Sequence, residues 1–125
     1  MTMLGHLSFG VGDLARSAEF YDRILAPLGY FRVWSNVRGV GFGEKGGGDK
    51  LALFALGEPA LAPGPGFHLA FTAPSREAVQ AFHAEALRAG GRDCGAPGLR
   101  PHYGATYYAA FVLDPDGYKL EAVHK

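Results

Sequence analysis

The feature that most constrains the fold of this chain is an internal repeat. The segment His6-Leu-Ser-Phe9 is matched 62 residues later by His68-Leu-Ala-Phe71. Two further pairs share this offset, one inside a helical pattern and one at its end: Phe20 with Phe82, and Gly29 with Gly91. Matches at one offset across two kinds of element predict two copies of a single supersecondary unit.

The first copy has the pattern of a strand, a helix and three more strands. Alternating apolar residues predict a strand over residues 3–9, and Asp13 is placed to cap a helix that ends at Gly29. Three short strands are then predicted at Tyr30–Trp34, Gly39–Gly43 and Lys50–Leu56. The first unit is therefore a βαβββ module of about residues 1–57.

The second copy follows a linker, Gly57–Gly66, which contains three prolines and three glycines. Another strand leads to a helix capped by Ser75, and the chain ends in a hairpin around the turn Asp114-Pro-Asp-Gly117. This module spans about residues 66–125. We therefore expect one α+β domain, residues 1–125, made of two repeated βαβββ modules whose curved, mostly antiparallel sheets surround a cleft.

Composition excludes several classes of partner. Twelve Lys and Arg residues balance twelve Asp and Glu residues, so the chain has no basic field to attract nucleic acid or anionic lipid. The single cysteine, Cys94, excludes an internal disulfide and is typical of a reducing compartment. No apolar run approaches membrane-spanning length. We expect a cytoplasmic protein with no nucleic acid partner and no membrane partner.

Three polar residues stand out in this framework. His6 and His68 occupy equivalent places on the first strand of each module, and Glu121 lies in the last strand, where an unpaired carboxylate is costly to bury. Two imidazoles and one carboxylate on facing sheets can hold a divalent metal and leave positions open for a substrate. The alternative is that each histidine is an ordinary core or surface residue and that Glu121 faces water.

Two stretches carry a resemblance to a known superfamily: residues 6–21 and residues 111–121. They resemble the vicinal oxygen chelate superfamily, which includes glyoxalase I, extradiol dioxygenases, fosfomycin-resistance thioltransferases and bleomycin-binding proteins. The resemblance implies metal ligands on the first and last strand of each module, and His6, His68 and Glu121 fill three of those four places. It also implies Fe²⁺, Mn²⁺, Ni²⁺ or Zn²⁺ as the cofactor.

The fourth ligand place lies on the strand Lys50–Leu56, which carries no ligand, and Leu53 is expected to occupy it. Relatives with one pair of modules commonly form homodimers in which the first module of one subunit completes a cup with the second module of the other. We therefore expect an exchanged homodimer. In it, His6 of one chain and His68 with Glu121 of the other share each metal.

Other polar and aromatic residues are candidates for handling a small-molecule substrate. Glu121, His102 and Tyr107 are the catalytic candidates, because a His or Tyr beside a metal-bound oxygen can act as a general acid or base. Aromatic packing for the tyrosine and an exposed loop for His102 are the alternatives. Arg32 and Trp34 are expected to share one face of their strand. The residues expected to line the pocket are Ser8, Trp34, Leu53 and Tyr108.

Two functional classes remain open at this point. The first is a metal-dependent enzyme that chelates a small oxygen-bearing substrate and stabilises its oxyanion or enolate, of the lyase, thioltransferase or dioxygenase type. The second is a metal-independent resistance protein that binds a small molecule, as the bleomycin-binding proteins do. Those binding proteins lack the His/His/Glu set, which is present here, so the sequence favours the enzyme.

Overall fold

The computed structural model describes residues 3–125 and contains two α-helices, a short 3-10 turn and eight strands. In chain order the elements are β1 (Leu7–Val11), α1 (Leu14–Leu25), the 3-10 turn (Ala26–Leu28), β2 (Tyr30–Ser35), β3 (Gly39–Glu44), β4 (Leu51–Ala55), β5 (Leu69–Thr72), α2 (Arg76–Arg88), β6 (Arg92–Leu99), β7 (Tyr108–Leu113) and β8 (Lys119–His124). The first strand starts at Leu7, later than the prediction. His6 therefore precedes β1 by one residue, as His68 precedes β5.

Each module forms one four-stranded sheet. The strand order is β1-β4-β3-β2 in the first, called sheet A, and β5-β8-β7-β6 in the second, called sheet B. In each sheet the first strand runs parallel to the last, and the other two pairings are antiparallel. The predicted α+β class with two repeated βαβββ modules is confirmed.

Both helices begin at the predicted caps. The Asp13 carboxylate accepts a hydrogen bond from Arg16 N at 3.0 Å, and Ser75 Oγ accepts one from Ala78 N at 3.0 Å. The 3-10 turn ends at Gly29, whose φ of 91° lies in the region that favours glycine. Within residues 3–125, no helix is long and apolar enough to cross a membrane.

A single hydrophobic core joins the two modules. It contains side chains from both sheets and both helices, including Tyr21 of α1 and Phe82 of α2. At the junction the rings of Phe9 and Tyr118 lie 4.3 Å apart. Because strand residues alternate between faces, each sheet directs one face into this core. The opposite face of each sheet, called its outer face, points away from the core.

The turn of the last hairpin is bonded to the first helix. Tyr21 OH donates to Asp114 Oδ2 at 2.6 Å, and the other oxygen of this carboxylate accepts from Asp116 N and Tyr118 N, each at 2.9 Å. Asp116 in turn accepts from Arg16 Nη2 at 3.0 Å. Burial raises the pKa of the Asp114 carboxyl, although these hydrogen bonds oppose the rise. The turn thus fixes module 2 to module 1 through a buried carboxyl.

This raised pKa predicts how stability depends on pH. The folded state binds a proton at Asp114 more tightly than the unfolded chain does, so the group favours folding in acid. Its contribution falls as the pH rises from about 4, the ordinary value for Asp, through the raised folded pKa. In urea unfolding, the stability of the wild type relative to Asp114→Asn should decrease across this range.

Glu19→Gln, which changes an exposed carboxylate on the same helix as Tyr21, is the control and should show no such trend. An increase in the relative stability of the wild type with pH would mean that the hydrogen bonds outweigh the cost of burial.

Candidate functional site

The site is built around Glu121, which lies on the outer face of sheet B. Its neighbours in β8, Leu120 and Ala122, both pack in the core, so alternation turns Glu121 the other way. Ala70 of β5 and Phe111 of β7 flank it across the sheet. The residue is nevertheless only 1% exposed. A buried carboxylate outside the core needs partners.

Both oxygens of Glu121 have a partner. Oε1 lies 2.9 Å from His68 Nε2, and Tyr107 OH donates to Oε2 at 2.5 Å. The side chain of His68 is 46% exposed, whereas that of Glu121 is buried beneath it. His68 thus presents an imidazole edge at the surface of the site, with the carboxylate behind it.

The environment of Tyr107 defines what this residue can do. Its pKa is raised to about 12, first because burial disfavours the phenolate and then because the phenol donates a hydrogen bond to Glu121. A phenol with such a pKa stays protonated at neutral pH and is a poor general base. Tyr107 is placed to orient the carboxylate of Glu121. Its catalytic role stays a prediction.

His6 does not join this pair within one subunit. Among residues 3–125, no three His, Cys, Asp or Glu side chains are arranged to hold a metal ion. His6 is exposed and lines a cavity of about 410 Å³ between the modules, together with Lys50 and the strand residues Leu69–Thr72. One chain therefore brings together two of the three predicted ligands.

The geometry of these two residues fits a shared divalent ion. His68 Nε2 and Glu121 Oε1 lie 2.9 Å apart, so both would be within reach of one divalent ion bound in place of the hydrogen bond between them. Imidazole and carboxylate are also donors suited to the four predicted metals. The chemistry of the pair therefore fits a divalent ion, and no third His, Cys, Asp or Glu among residues 3–125 joins it.

The assignment of Leu53 to the site is wrong. Leu53 is completely buried in the hydrophobic core, on the face of sheet A that packs against the helices. The true counterpart of Glu121 follows from strand register, since Ala70 pairs with Glu121 and Ser8, at the same place in the repeat, pairs with Ala52. Ala52 therefore occupies the fourth ligand place. A shift of one residue along a strand reverses the face.

Ser8 and Trp34 lie on the outer face of sheet A, in one row with Ala52. In this row Ser8 pairs with Ala52, Ala52 with Gly41, and Gly41 with Trp34. The indole lies on the backbone of Gly41, because a Cβ built there would be 2.0 Å from Trp34 Nε1. His6 lies just before β1, two residues from Ser8, which forms one end of this row.

The prediction that Arg32 and Trp34 share a face is wrong. The register of β2 against β3 shifts between them, so Arg32 pairs with Phe42 whereas Trp34 pairs with Gly41. Arg32 instead binds the carboxylate of Asp22 in α1, at 2.8 and 2.7 Å. Such a β-bulge is the usual means of re-aiming one side chain of a strand.

Tyr108 also lies on the wrong side for the predicted pocket. It packs against the core beside α2, where Gln80 Nε2 donates to its hydroxyl at 2.9 Å and Arg76 lies over its ring at 5.0 Å. His102 is exposed on the loop before β7, with its ring 4.1 Å from that of Tyr103. Its catalytic role stays a prediction.

One residue of the site was missed by the sequence reasoning. Phe111 stands directly opposite Glu121, and its ring is 5.9 Å from that of His68. The tetrapeptide Asp114–Gly117 taken alone would pair Phe111 with Leu120. The turn instead closes through the hydrogen bond from Asp114 N to Tyr118 O, and this difference of one residue places Glu121 opposite Phe111.

The sequence profile of the Glyoxalase/Bleomycin resistance protein/Dioxygenase superfamily matches residues 3–122. The chain belongs to this superfamily. A glyoxalase/bleomycin resistance protein from Albidiferax ferrireducens T118, whose structure is solved, is 35% identical in sequence to this superfamily member. The two structures superpose over 99% of this chain and 100% of the relative, with a TM-score of 0.86. The resemblance inferred from the sequence is thereby confirmed.

More distant structures of the superfamily share the fold. A glyoxalase-related enzyme from Fulvimarina pelagi has 23% identity, coverage of 100% of this chain and 89% of its own, and a TM-score of 0.75. An E144Q mutant of glyoxalase I from Zea mays has 22% identity, coverage of 95% of this chain and 45% of its own, and a TM-score of 0.70. A search of curated protein sequences gives no match.

The register of sheet A predicts losses of stability of different size for two adjacent substitutions in this superfamily member. Leu53→Glu places a carboxylate in the core and should reduce the free energy of unfolding by at least about 3 kcal/mol. Ala52 is also buried, but Ala52→Glu directs its carboxylate to the outer face, beside the exposed Ser8, so its loss of stability should be clearly smaller than that of Leu53→Glu. Urea unfolding of both variants checks the assignment, and comparable losses would contradict it.

The contact between Tyr107 and Glu121 predicts a change in the titration of the phenol. In metal-free protein, Glu121→Gln should lower the pKa of Tyr107 from about 12, because a neutral amide no longer stabilises the protonated phenol as the carboxylate does. Near-ultraviolet absorbance of tyrosinate measures this titration, with Tyr107→Phe identifying its signal among those of the six tyrosines. A pKa that is unaffected by Glu121→Gln would contradict the assignment.

Proposed function

We propose that this protein is a homodimeric, divalent-metal-dependent enzyme that binds a small substrate through two of its oxygens and stabilises an oxyanion or enolate. The observation that carries the proposal is the buried carboxylate of Glu121, held by Tyr107 and paired with the exposed imidazole of His68. The metal is Fe²⁺, Mn²⁺, Ni²⁺ or Zn²⁺, as the resemblance implies. The reaction is of the lyase, thioltransferase or dioxygenase type.

The burial of Glu121 supports a functional role. Removing a carboxylate from water costs several kcal/mol unless it is paired. The hydrophobic core does not use Glu121, which lies on the outer face of a sheet whose other face already packs against α2. Its equivalent in the first module is Ala52, so the fold does not need a carboxylate at this place.

The separation of His6 from the other two residues supports the exchanged homodimer. The core fixes both modules of one chain by their inner faces, and among residues 3–125 no other sheet packs on either outer face. A second subunit that covers these outer faces can bring its His6 to the His68 and Glu121 of the first. Each subunit then contributes to two equivalent sites, as two-fold symmetry requires.

Each residue of the pair has a distinct task in this proposal. A bound divalent ion supplies Lewis acidity that stabilises developing negative charge on a substrate oxygen. His68 would hold the ion through Nε2, and Glu121 would hold it through Oε1. Tyr107 fixes the second carboxylate oxygen by its hydrogen bond and so keeps Oε1 directed at the ion. The small side chains of Ser8 and Ala52 leave room for the substrate across the cleft.

Subunit mixing tests the metal site and the exchange together. His6→Ala, His68→Ala and Glu121→Ala should each weaken divalent-metal binding by more than the roughly 10- to 100-fold that loss of an outer-shell partner costs. His6→Ala and Glu121→Ala subunits, unfolded and refolded together in equal amounts, should recover about one quarter of the wild-type metal content, because half of the dimers are mixed and each mixed dimer has one intact site.

The matched control is a mixture of His68→Ala and Glu121→Ala subunits. Both residues come from the same module, so no mixed dimer contains an intact site and no metal should be recovered. Metal content is measured in the purified dimer by elemental analysis. Wild-type metal affinity in the His68→Ala protein would refute the metal site, and equal recovery in both mixtures would refute the exchange.

A further inference from the structure

The outer face of sheet A is apolar. Three of its large side chains are well exposed, Phe31 at 45%, Phe54 at 42% and Leu56 at 48%. Together with Trp34 they form the Trp34 face, defined by Phe31, Trp34, Phe54 and Leu56. The other strand residues on this outer face are Ser8, Ala52 and glycines, so none of its described strand residues is charged.

Glycines allow these side chains to lie flat against the sheet. A Cβ at Gly41 would be 2.0 Å from Trp34 Nε1, one at Gly39 would be 2.8 Å from Phe54 Cδ1, and one at Gly10 would be 2.5 Å from Leu56 Cδ2. All three approaches are shorter than a real Cβ permits. The glycines therefore produce a flat apolar surface where side chains would otherwise project.

The bulge in β2 adds Trp34 to this surface and removes a charge from it. Without the register shift, Arg32 and Trp34 would lie on the same face, whereas Arg32 now binds Asp22 on the helix side. β-Bulges are over-represented beside active sites, where they re-aim side chains. The bulge thus places the only tryptophan of the chain in an uncharged surface next to the proposed site.

We propose that the substrate carries a planar conjugated ring beside its two chelating oxygens, and that this ring stacks on Trp34. This inference rests on the proposed function, because the exchanged dimer is what brings the Trp34 face opposite the partner subunit's His68 and Glu121.

The row Ser8–Ala52–Gly41–Trp34 supplies the geometry for this arrangement. Its small residues leave space on one side of the half-buried indole of Trp34, at the strand level that Glu121 occupies in sheet B. Aromatic rings gain from offset stacking beyond the area that they bury, so a flat ring is bound better than a puckered one of equal size. A substrate without a ring would leave the indole of Trp34 without a stacking partner in the cleft.

Three hydroxamates separate the contributions of chelation, size and planarity. Acetohydroxamate, cyclohexanecarbohydroxamate and benzohydroxamate offer the same two oxygens, and only the last carries a planar ring. On the Zn²⁺-loaded dimer, benzohydroxamate should bind about three- to tenfold more tightly than the cyclohexane compound. Calorimetry measures the affinities, and the fluorescence of Trp34 reports the stacking directly because no other tryptophan is present.

Two variants locate this preference. Gly41→Ala displaces the indole from the sheet, and Trp34→Leu removes it. Both should make the two ring compounds bind about equally, and acetohydroxamate, which has no ring, reports whether chelation is retained in each variant. The matched control is Gly48→Ala, because a Cβ at Gly48 meets no atom within 4 Å and no positive φ opposes it. This control should keep the full preference.

The outcomes distinguish this inference from the proposed function. If acetohydroxamate binds no better to Zn²⁺-loaded than to metal-free protein, the metal site itself fails and the inference fails with it. If acetohydroxamate binding needs the metal but benzohydroxamate has no advantage, or keeps it in Trp34→Leu, only the inference is overturned. It is also overturned if Trp34→Leu produces monomers in sedimentation, since the Trp34 face is then a subunit contact.

Discussion

The structure depends on a single hydrophobic core, to which both modules contribute the same face of their sheets. Each sheet directs its helix-covered face inward, and the side chains of α1, α2 and both sheets form one continuous cluster. Hydrophobic burial on this scale is the main favourable contribution to folding. It also leaves the outer face of each sheet free of core contacts, and Glu121 lies on that face of sheet B.

The alternation of side chains along each strand then decides which residues reach the site. Along β8 the alternation is visible in the sequence, since Glu121 is a charged residue between Leu120 and Ala122. Along β4 every residue of Leu51–Ala55 is apolar, so the sequence contains no alternation that separates Ala52 from Leu53. The repeat, the helices and their caps could be predicted from local patterns. The face of an all-apolar strand could not.

Two further features were beyond the sequence for different physical reasons. The bulge in β2 is a property of the pairing between strands. No residue type within Tyr30–Ser35 predicts that Arg32 binds Asp22 while Trp34 lies on the opposite face. The placement of His6 apart from His68 depends on how two modules dock, which periodicity within a module does not encode. The pairing of His68 with Glu121 was accessible, because both lie within one sheet whose strand order follows from the βαβββ unit.

The buried turn at Asp114 makes the two modules unsuitable as separable parts. The hairpin that follows this turn carries Glu121, and its carboxyl anchor is held by Tyr21 of the other module. A fragment containing module 2 alone would lose that phenol and expose Tyr118, whose ring packs on Phe9 and whose hydroxyl donates to Gly10 O. A chimera that joins module 1 of one relative to module 2 of another within the Gly57–Gly66 segment would therefore require matched residues on both sides of these contacts. The two modules thus repeat one sequence pattern, but the stability of each depends on contacts with the other.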